Sequence, residues 1–169
     1  MSIQLRPALP ADVRAINALV QPLASRQILL GKELVVYYEA IQEFLVAERE
    51  DGAIVGCGAL HVMWEDLGEV RTLAVSDEVR GTGLGHRMLE ALLERARALG
   101  LDRVFCLTFE VDFFARHGFE EMGPDPLSPE LYAELLRSND EGIAEFLDLA
   151  RVKPNTLGNT RMIRPLGSH

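Results

Sequence analysis

Apolar and polar positions along this chain follow two different periods, and the changes between them mark its elements. Residues 3–7 read as a short strand. From Pro10 the pattern turns helical, with Val13, Ile16, Leu19 and Val20 on one face behind the helix-opening Pro-Ala-Asp. Residues 21–31, which include Pro22, read as a loop, and residues 32–42 as a second helix. Two β-rich runs within 44–61 flank Asp51-Gly52, a pair that supplies the positive φ of a tight hairpin turn. A third strand is expected at 68–75, with Glu69, Arg71 and Leu73 on one face and Val70, Thr72 and Ala74 on the other. The clearest helix is 84–99, where Leu84, Met88, Leu89, Leu92, Leu93, Ala96 and Leu99 form a stripe before Gly100.

Beyond that helix the pattern predicts a strand at 103–108 and a short helix at 112–117 that ends at Gly118. Pro124, Pro126 and Pro129 mark a loop before a helix at 130–137. The tail is expected to fold as a β-pair, 146–149 against 161–163, around 153–159. No repeat or low-complexity linker interrupts the chain, so residues 1–169 are expected to form one domain.

Composition narrows the function. The 169 residues are 48% hydrophobic and 25% charged, as in globular proteins, and carry a net charge of −9. An acidic surface argues against nucleic acid or an anionic membrane as partner, since both need a basic footprint. It leaves room for an anionic small substrate, because charges more than about 8 Å away are screened at physiological salt. No stretch reaches the ~18 apolar residues that span a bilayer, and the first residues carry no apolar signal run, so a cytoplasmic protein is expected. Cys57 and Cys106 sit in apolar runs without metal-ligand spacing and read as buried thiols. His61, His86 and His117 share no metal-ligand spacing either, and no metal is expected.

The chemistry concentrates in residues 73–86, Leu-Ala-Val-Ser-Asp-Glu-Val-Arg-Gly-Thr-Gly-Leu-Gly-His. Glycines at 81, 83 and 85 expose backbone N–H groups at the start of a helix, an anion site suited to a pyrophosphate. A Walker A loop would need Gly-Lys-Ser/Thr where His86-Arg87-Met88 stand, and a dinucleotide fingerprint would need glycine at His86. What remains is Arg80-x-x-Gly83-x-Gly85 between an apolar strand and an amphipathic helix.

That pattern resembles the pyrophosphate loop of the GNAT superfamily of N-acetyltransferases, and Phe113-Phe-Ala-Arg-His-Gly-Phe119 resembles its F-Y-x-x-x-G-F segment. The resemblance implies a single-domain α/β fold, a mixed twisted central sheet with a splayed strand pair flanked by helices. It implies acetyl-CoA as cosubstrate, held by Arg80, Gly81, Thr82, Gly83, Leu84, Gly85 and His86, by the backbone of Leu73, Ala74 and Val75, and by Phe114. A neutral amine would then attack the thioester directly, with a carboxylate as base, and proximity would be the main contribution. Phe114 replaces the tyrosine with which much of the superfamily protonates the leaving thiolate, so the general acid stays open, solvent being sufficient.

Further segments are similar to bacterial N-acetylglutamate synthases, above all to short ones made of the acetyltransferase domain alone: Cys57-Gly-Ala-Leu-His61, Ala144-Glu-Phe-Leu-Asp-Leu149 and Val152-Lys-Pro-Asn-Thr-Leu-Gly-Asn159. This resemblance implies L-glutamate or L-glutamine as acceptor, Glu69 as general base and Thr108 as a hydroxyl near the reacting centre. It implies carboxylate binding by Lys32, Arg71, Lys153, Thr160 and Arg161, and a homodimer by analogy alone. The family's tail arginine falls on Gly158 here, so Lys153 or Arg161 would supply that charge. Two rivals stand beside this reading: an acetyltransferase for another amine, and a non-catalytic acetyl-CoA-binding module.

Overall fold

The computed structural model describes residues 2–26, 33–123, 128–138, 140, 143, 146–147 and 160–167. Its strands are β1 (Ile3–Pro7), β2 (Phe44–Arg49), β3 (Ile54–Val62), β4 (Leu67–Val75), β5 (Arg103–Thr108), β6 (Glu120–Glu121) and β7 (Thr160–Pro165). Its α-helices are α1 (Val13–Ser25), α2 (Leu34–Glu39), α3 (Leu84–Ala98), α4 (Val111–Ala115) and α5 (Pro129–Leu135). The strands form one mixed sheet in the order β1-β2-β3-β4-β5-β7-β6. Among the described residues no helix is long and apolar enough to cross a membrane.

The β2–β3 hairpin turns at Asp51-Gly52 as expected, with Gly52 at φ 85° and its N–H donating to the Arg49 carbonyl at 2.8 Å. Helix α3 lays Leu84, Met88, Leu89, Leu92, Leu93 and Ala96 on one face of the sheet, all buried. It lies close because β3 presents glycines there. A Cβ at Gly58 would come 3.0 Å from a methyl of Leu73 and 3.0 Å from one of Leu92. Gly58→Val is therefore expected to overpack this layer and destabilise the protein by about 1–3 kcal/mol, readable as a lower urea midpoint at an unchanged slope.

The opposite face carries two clusters. Helices α1 and α2 cover Val46, Cys57, Ala59 and Ala74, while α5 and the helical residues Ile143, Phe146 and Leu147 cover Leu67 and Phe105.

Four expectations are corrected. Helix α1 runs through Pro22 to Ser25, because Leu19 and Leu23 pack on the same cluster and extend the buried stripe past the missing N–H. The second helix is shorter than expected, ending at Glu39 before a separate 3-10 turn at Ile41–Glu43. Phe146 and Leu147 are helical rather than extended, and Phe146 packs on Phe105 with ring centroids 4.3 Å apart. The closing strand β7 instead pairs antiparallel with β5 and β6.

The fourth correction shapes the site. Strict alternation along β4 fails at Thr72, which takes φ 56° where the β3–β4 register shifts. This bulge moves Leu73 to the face of Val70, under α3, and puts Ala74 against α1. A β-branched residue at positive φ is strained, and such strain persists only where its surroundings enforce it.

Candidate active site

Strands β4 and β5 run parallel and pair only at Leu67–Arg103, Gly68–Val104 and Glu69–Phe105. Beyond Glu69 they part, so the β5-facing edge of the upper half of β4 has no strand partner among the described residues. That half still pairs with β3 through Ala74 and Val75. A cleft of about 330 Å³ opens in the fork. Leu73, Ala74 and Val75 form one wall, Leu107 and Thr108 the other, and Phe113 and Phe114 of α4 close one side. An extended chain laid in the fork would run along the β4 edge that β5 leaves, with apolar side chains around it.

Arg80 and Gly85 carry the cleft to the start of α3. Gly81 and Gly83 have φ values of 77° and 83°, open to glycine alone without strain, and Gly83 is the N-cap of α3. A glycine cap offers no side-chain acceptor, and the first turn holds no acidic residue, whereas Arg95 and Arg97 stand in the last turn. The first N–H groups of α3 and the positive end of its dipole thus remain available to an anion. Arg80 is ion-paired to Asp77 at 2.9 Å and well exposed. Pyrophosphate, pantetheine arm and thioester therefore each meet a suitable surface, and acetyl-CoA fits the residues present.

Glu69 is the last paired residue of β4 before the fork. It is 3% exposed and stands behind the cleft wall, bonded to Arg71, which does line it. Arg71 donates to Glu69 Oε2 from Nε at 3.1 Å and from Nη2 at 2.5 Å. Its other edge donates to Asp140, from Nη1 to Oδ2 at 2.9 Å and from Nη2 to Oδ1 at 3.0 Å. Burial opposes the charge of Arg71, but Glu69 and then Asp140 outweigh it and hold the guanidinium above its usual range. Burial likewise pushes the Asp140 carboxyl up, yet the hydrogen bonds and charge of Arg71 prevail and hold it at about 2. Among the described residues nothing donates to Glu69 Oε1.

Thr108 ends β5 in the fork, and its hydroxyl accepts the Glu110 N–H at 2.7 Å. Thr160 lies directly across from it in the β5–β7 register, so the two expected hydroxyl residues are brought together. Arg161, opposite Leu107, extends over the Phe146 ring at 5.6 Å. Its Nη2 donates to the Gly123 carbonyl at 3.3 Å, while its Nη1 is buried without a partner among the described residues, and burial lowers its pKa. Lys32 and Lys153 lie outside the described residues. Arg71 lines the cleft, but four of its five N–H groups are taken by Glu69 and Asp140.

No spacing or motif points to Asp140, nor to the contact between His86 and His117. Those rings meet with Nδ1 of His86 2.6 Å from Nε2 of His117, whose Nδ1 lies 2.7 Å from Glu90. Leu23 and Arg26 at the end of α1 also line the cleft, which only the continuation of α1 past Pro22 makes possible. Cys106 is buried on β5, and burial and then Glu69 push its thiol well up, which suits packing and not nucleophilic attack.

Comparison with known proteins gives this geometry its context. Residues 21–123 match the model of the acetyltransferase (GNAT) family. An amino-acid acetyltransferase of Mycobacterium tuberculosis is 56% identical over 161 residues, 94% of this chain and 92% of that one. One of Neisseria meningitidis is 36% identical over 81% of this chain, which spans only 31% of its length. Among solved structures, a Mycobacterium tuberculosis protein in complex with CoA superposes at a TM-score of 0.89 with 55% identity, covering 96% of this chain and 98% of that one. The N-acetylglutamate synthase of Neisseria gonorrhoeae, complexed with coenzyme A and N-acetyl-glutamate, superposes at 0.79 with 29% identity over 99% of this chain and 36% of that one. The splayed strands, the glycine-capped helix and these likenesses agree: the chain belongs to the acetyltransferase (GNAT) family.

Proposed function

We propose that this protein, as one domain over residues 1–169, transfers the acetyl group of acetyl-CoA to the α-amine of L-glutamate, the first step of arginine synthesis in the cytoplasm. One observation carries the choice of acceptor. In a chain of net charge −9, the cleft is lined by three arginines, Arg26, Arg71 and Arg80, against one carboxylate, Glu110. Arg80 sits at the pyrophosphate loop and Arg71 is neutralised by Glu69 and Asp140, which leaves Arg26 as the lining cation with no carboxylate partner among the described residues. A dicarboxylic amino acid would meet a complementary cation there, whereas a polyamine would not. The names of the relatives, amino-acid acetyltransferase and N-acetylglutamate synthase, support the same reading.

In this reading acetyl-CoA supplies an activated acetyl thioester. Glu69 receives the proton of the α-ammonium through water on Oε1, leaving a neutral amine to attack. Thr108 and Thr160, facing each other at the open end of β5, orient the acceptor. Arg161 takes a substrate carboxylate on its unpartnered Nη1, compensating a cation whose burial is otherwise costly. The apolar walls exclude water, and the fork holds both reactants in one place, the source of most of the acceleration.

The test is acceptor specificity in Arg161→Ala. Its KM for glutamate should rise about tenfold or more, as loss of one charge-assisted pair implies, with the KM for acetyl-CoA unchanged. An unchanged glutamate KM removes Arg161 from the site.

A further inference from the structure

Asp140 is the one member of the buried charge group that the proposed reaction leaves without a task. Glu69 and Arg71 lie on β4, with side chains only 4% and 10% exposed, whereas Asp140 enters from beyond α5. A single guanidinium opposite Glu69 would already balance its charge. Instead Arg71 is shared between two carboxylates, and the three together carry one net negative charge. Asp140 is itself fixed, since its Oδ1 accepts the Ile143 N–H at 3.0 Å and its own N–H donates to Ser138 Oγ at 3.1 Å.

A guanidinium bound along both edges cannot turn about its stem, so Glu69 Oε2 stays pinned and Oε1 keeps one direction. The other groups that face this cluster are few. Cys106 on β5 stays a neutral thiol, because burial and Glu69 push it up. His61 on β3 lies opposite Glu69 in register, acts on Asp140 and is held by Glu43 with Nδ1 to oxygen distances of 2.9 and 3.0 Å.

We propose that Asp140 is a positioning residue which, through its two bonds to Arg71, orients Glu69 to take a proton from the amine. This rests on the reading of Glu69 as base. The proton passes from the ammonium through water to Glu69 Oε1. The nitrogen lone pair then forms the amide bond as the carbon–sulfur bond breaks, the nitrogen gives its second proton to water, and the thiolate takes a proton from solvent.

The test is the split between kcat and KM in Asp140→Asn, which keeps an Oδ1 acceptor for Ile143 but turns the Oδ2 acceptor of Arg71 Nη1 into an amide donor. A mispositioned base slows the chemical step, so kcat should fall about three- to tenfold, within the contribution of a positioned proton acceptor, with acetyl-CoA affinity within about twofold. Asp140→Ser, which can still cap Ile143 but carries no carboxylate, should show the same loss, and Asp140→Glu, which returns a carboxylate to Arg71, should recover part of it. A kcat in both neutral variants equal to the unmodified protein's would overturn the proposal. Glu69→Gln separates the two claims. If it retains full turnover the base reading fails, whereas if it is inactive while Asp140→Asn matches the parent, only the role of Asp140 fails.

Discussion

Glu69→Gln is expected to lower kcat by about a hundredfold or more, the scale of a lost general base, while the dissociation constant for acetyl-CoA stays within about twofold. The amide is isosteric and still accepts from Arg71, so the buried pair at the fork keeps its shape. What it loses is the ability to take a proton on Oε1. Because Glu69 stands behind the cleft wall and does not line it, no contact to the cofactor is removed. Stopped assays for turnover, with calorimetry for binding, check both halves. A variant with wild-type kcat would show that the amine loses its proton elsewhere, and one with weakened binding would show that Glu69 acts through the fold.

The second large effect lies at the other end of the cleft. Gly83 caps α3 at φ 83°, and no atom lies within 4 Å of where its Cβ would be. Gly83→Val therefore meets no clash; it fails because a β-branched residue does not adopt that φ, and the loop must change path. The N–H groups that would hold a pyrophosphate move with it. Acetyl-CoA affinity is expected to fall about a hundredfold, consistent with the loss of two or three charge-assisted hydrogen bonds at a helix N-terminus. The stripe of α3 from Met88 to Ala96 stays buried, so the melting temperature should move by only a few degrees, about what 1 kcal/mol implies. Equilibrium binding and a melting curve on the same sample separate the two effects.

Much of this site is legible in the sequence, and the reason is locality. The strand, the three glycines and the stripe of α3 occupy one stretch of chain, where spacing alone fixes which groups face an anion. The Asp51-Gly52 hairpin was equally plain, since one dipeptide supplies the turn. Features that depend on distant partners were not. The reversal of β4 at Thr72 arises where β3 and β4 shift register, and nothing in Val70-Arg71-Thr72-Leu73 announces it. Phe146-Leu-Asp-Leu alternates like a strand, yet Phe146 is fixed as helix by the face of Phe105 it covers. Pro22 read as a break because its missing N–H is visible in sequence and the packing of Leu23 is not.

The same limit applies to charge. Glu69 and Arg71 stand two apart on β4, but Asp140 meets them across 69 residues of chain. His86 and His117 meet across 31. Ion pairs of this kind leave no spacing to read, so the clamp on Arg71 emerged only from the fold.

The most direct test of the account is to mix the purified protein with acetyl-CoA and follow thiol release against a panel of amino acids, polyamines and peptide amines. The account predicts the highest rate with L-glutamate, L-glutamine being the nearest competitor, and little release with polyamines or peptides. A faster rate with polyamines or peptides would contradict the cation-lined acceptor pocket. Binding of acetyl-CoA without turnover of any amine would contradict the catalytic reading itself.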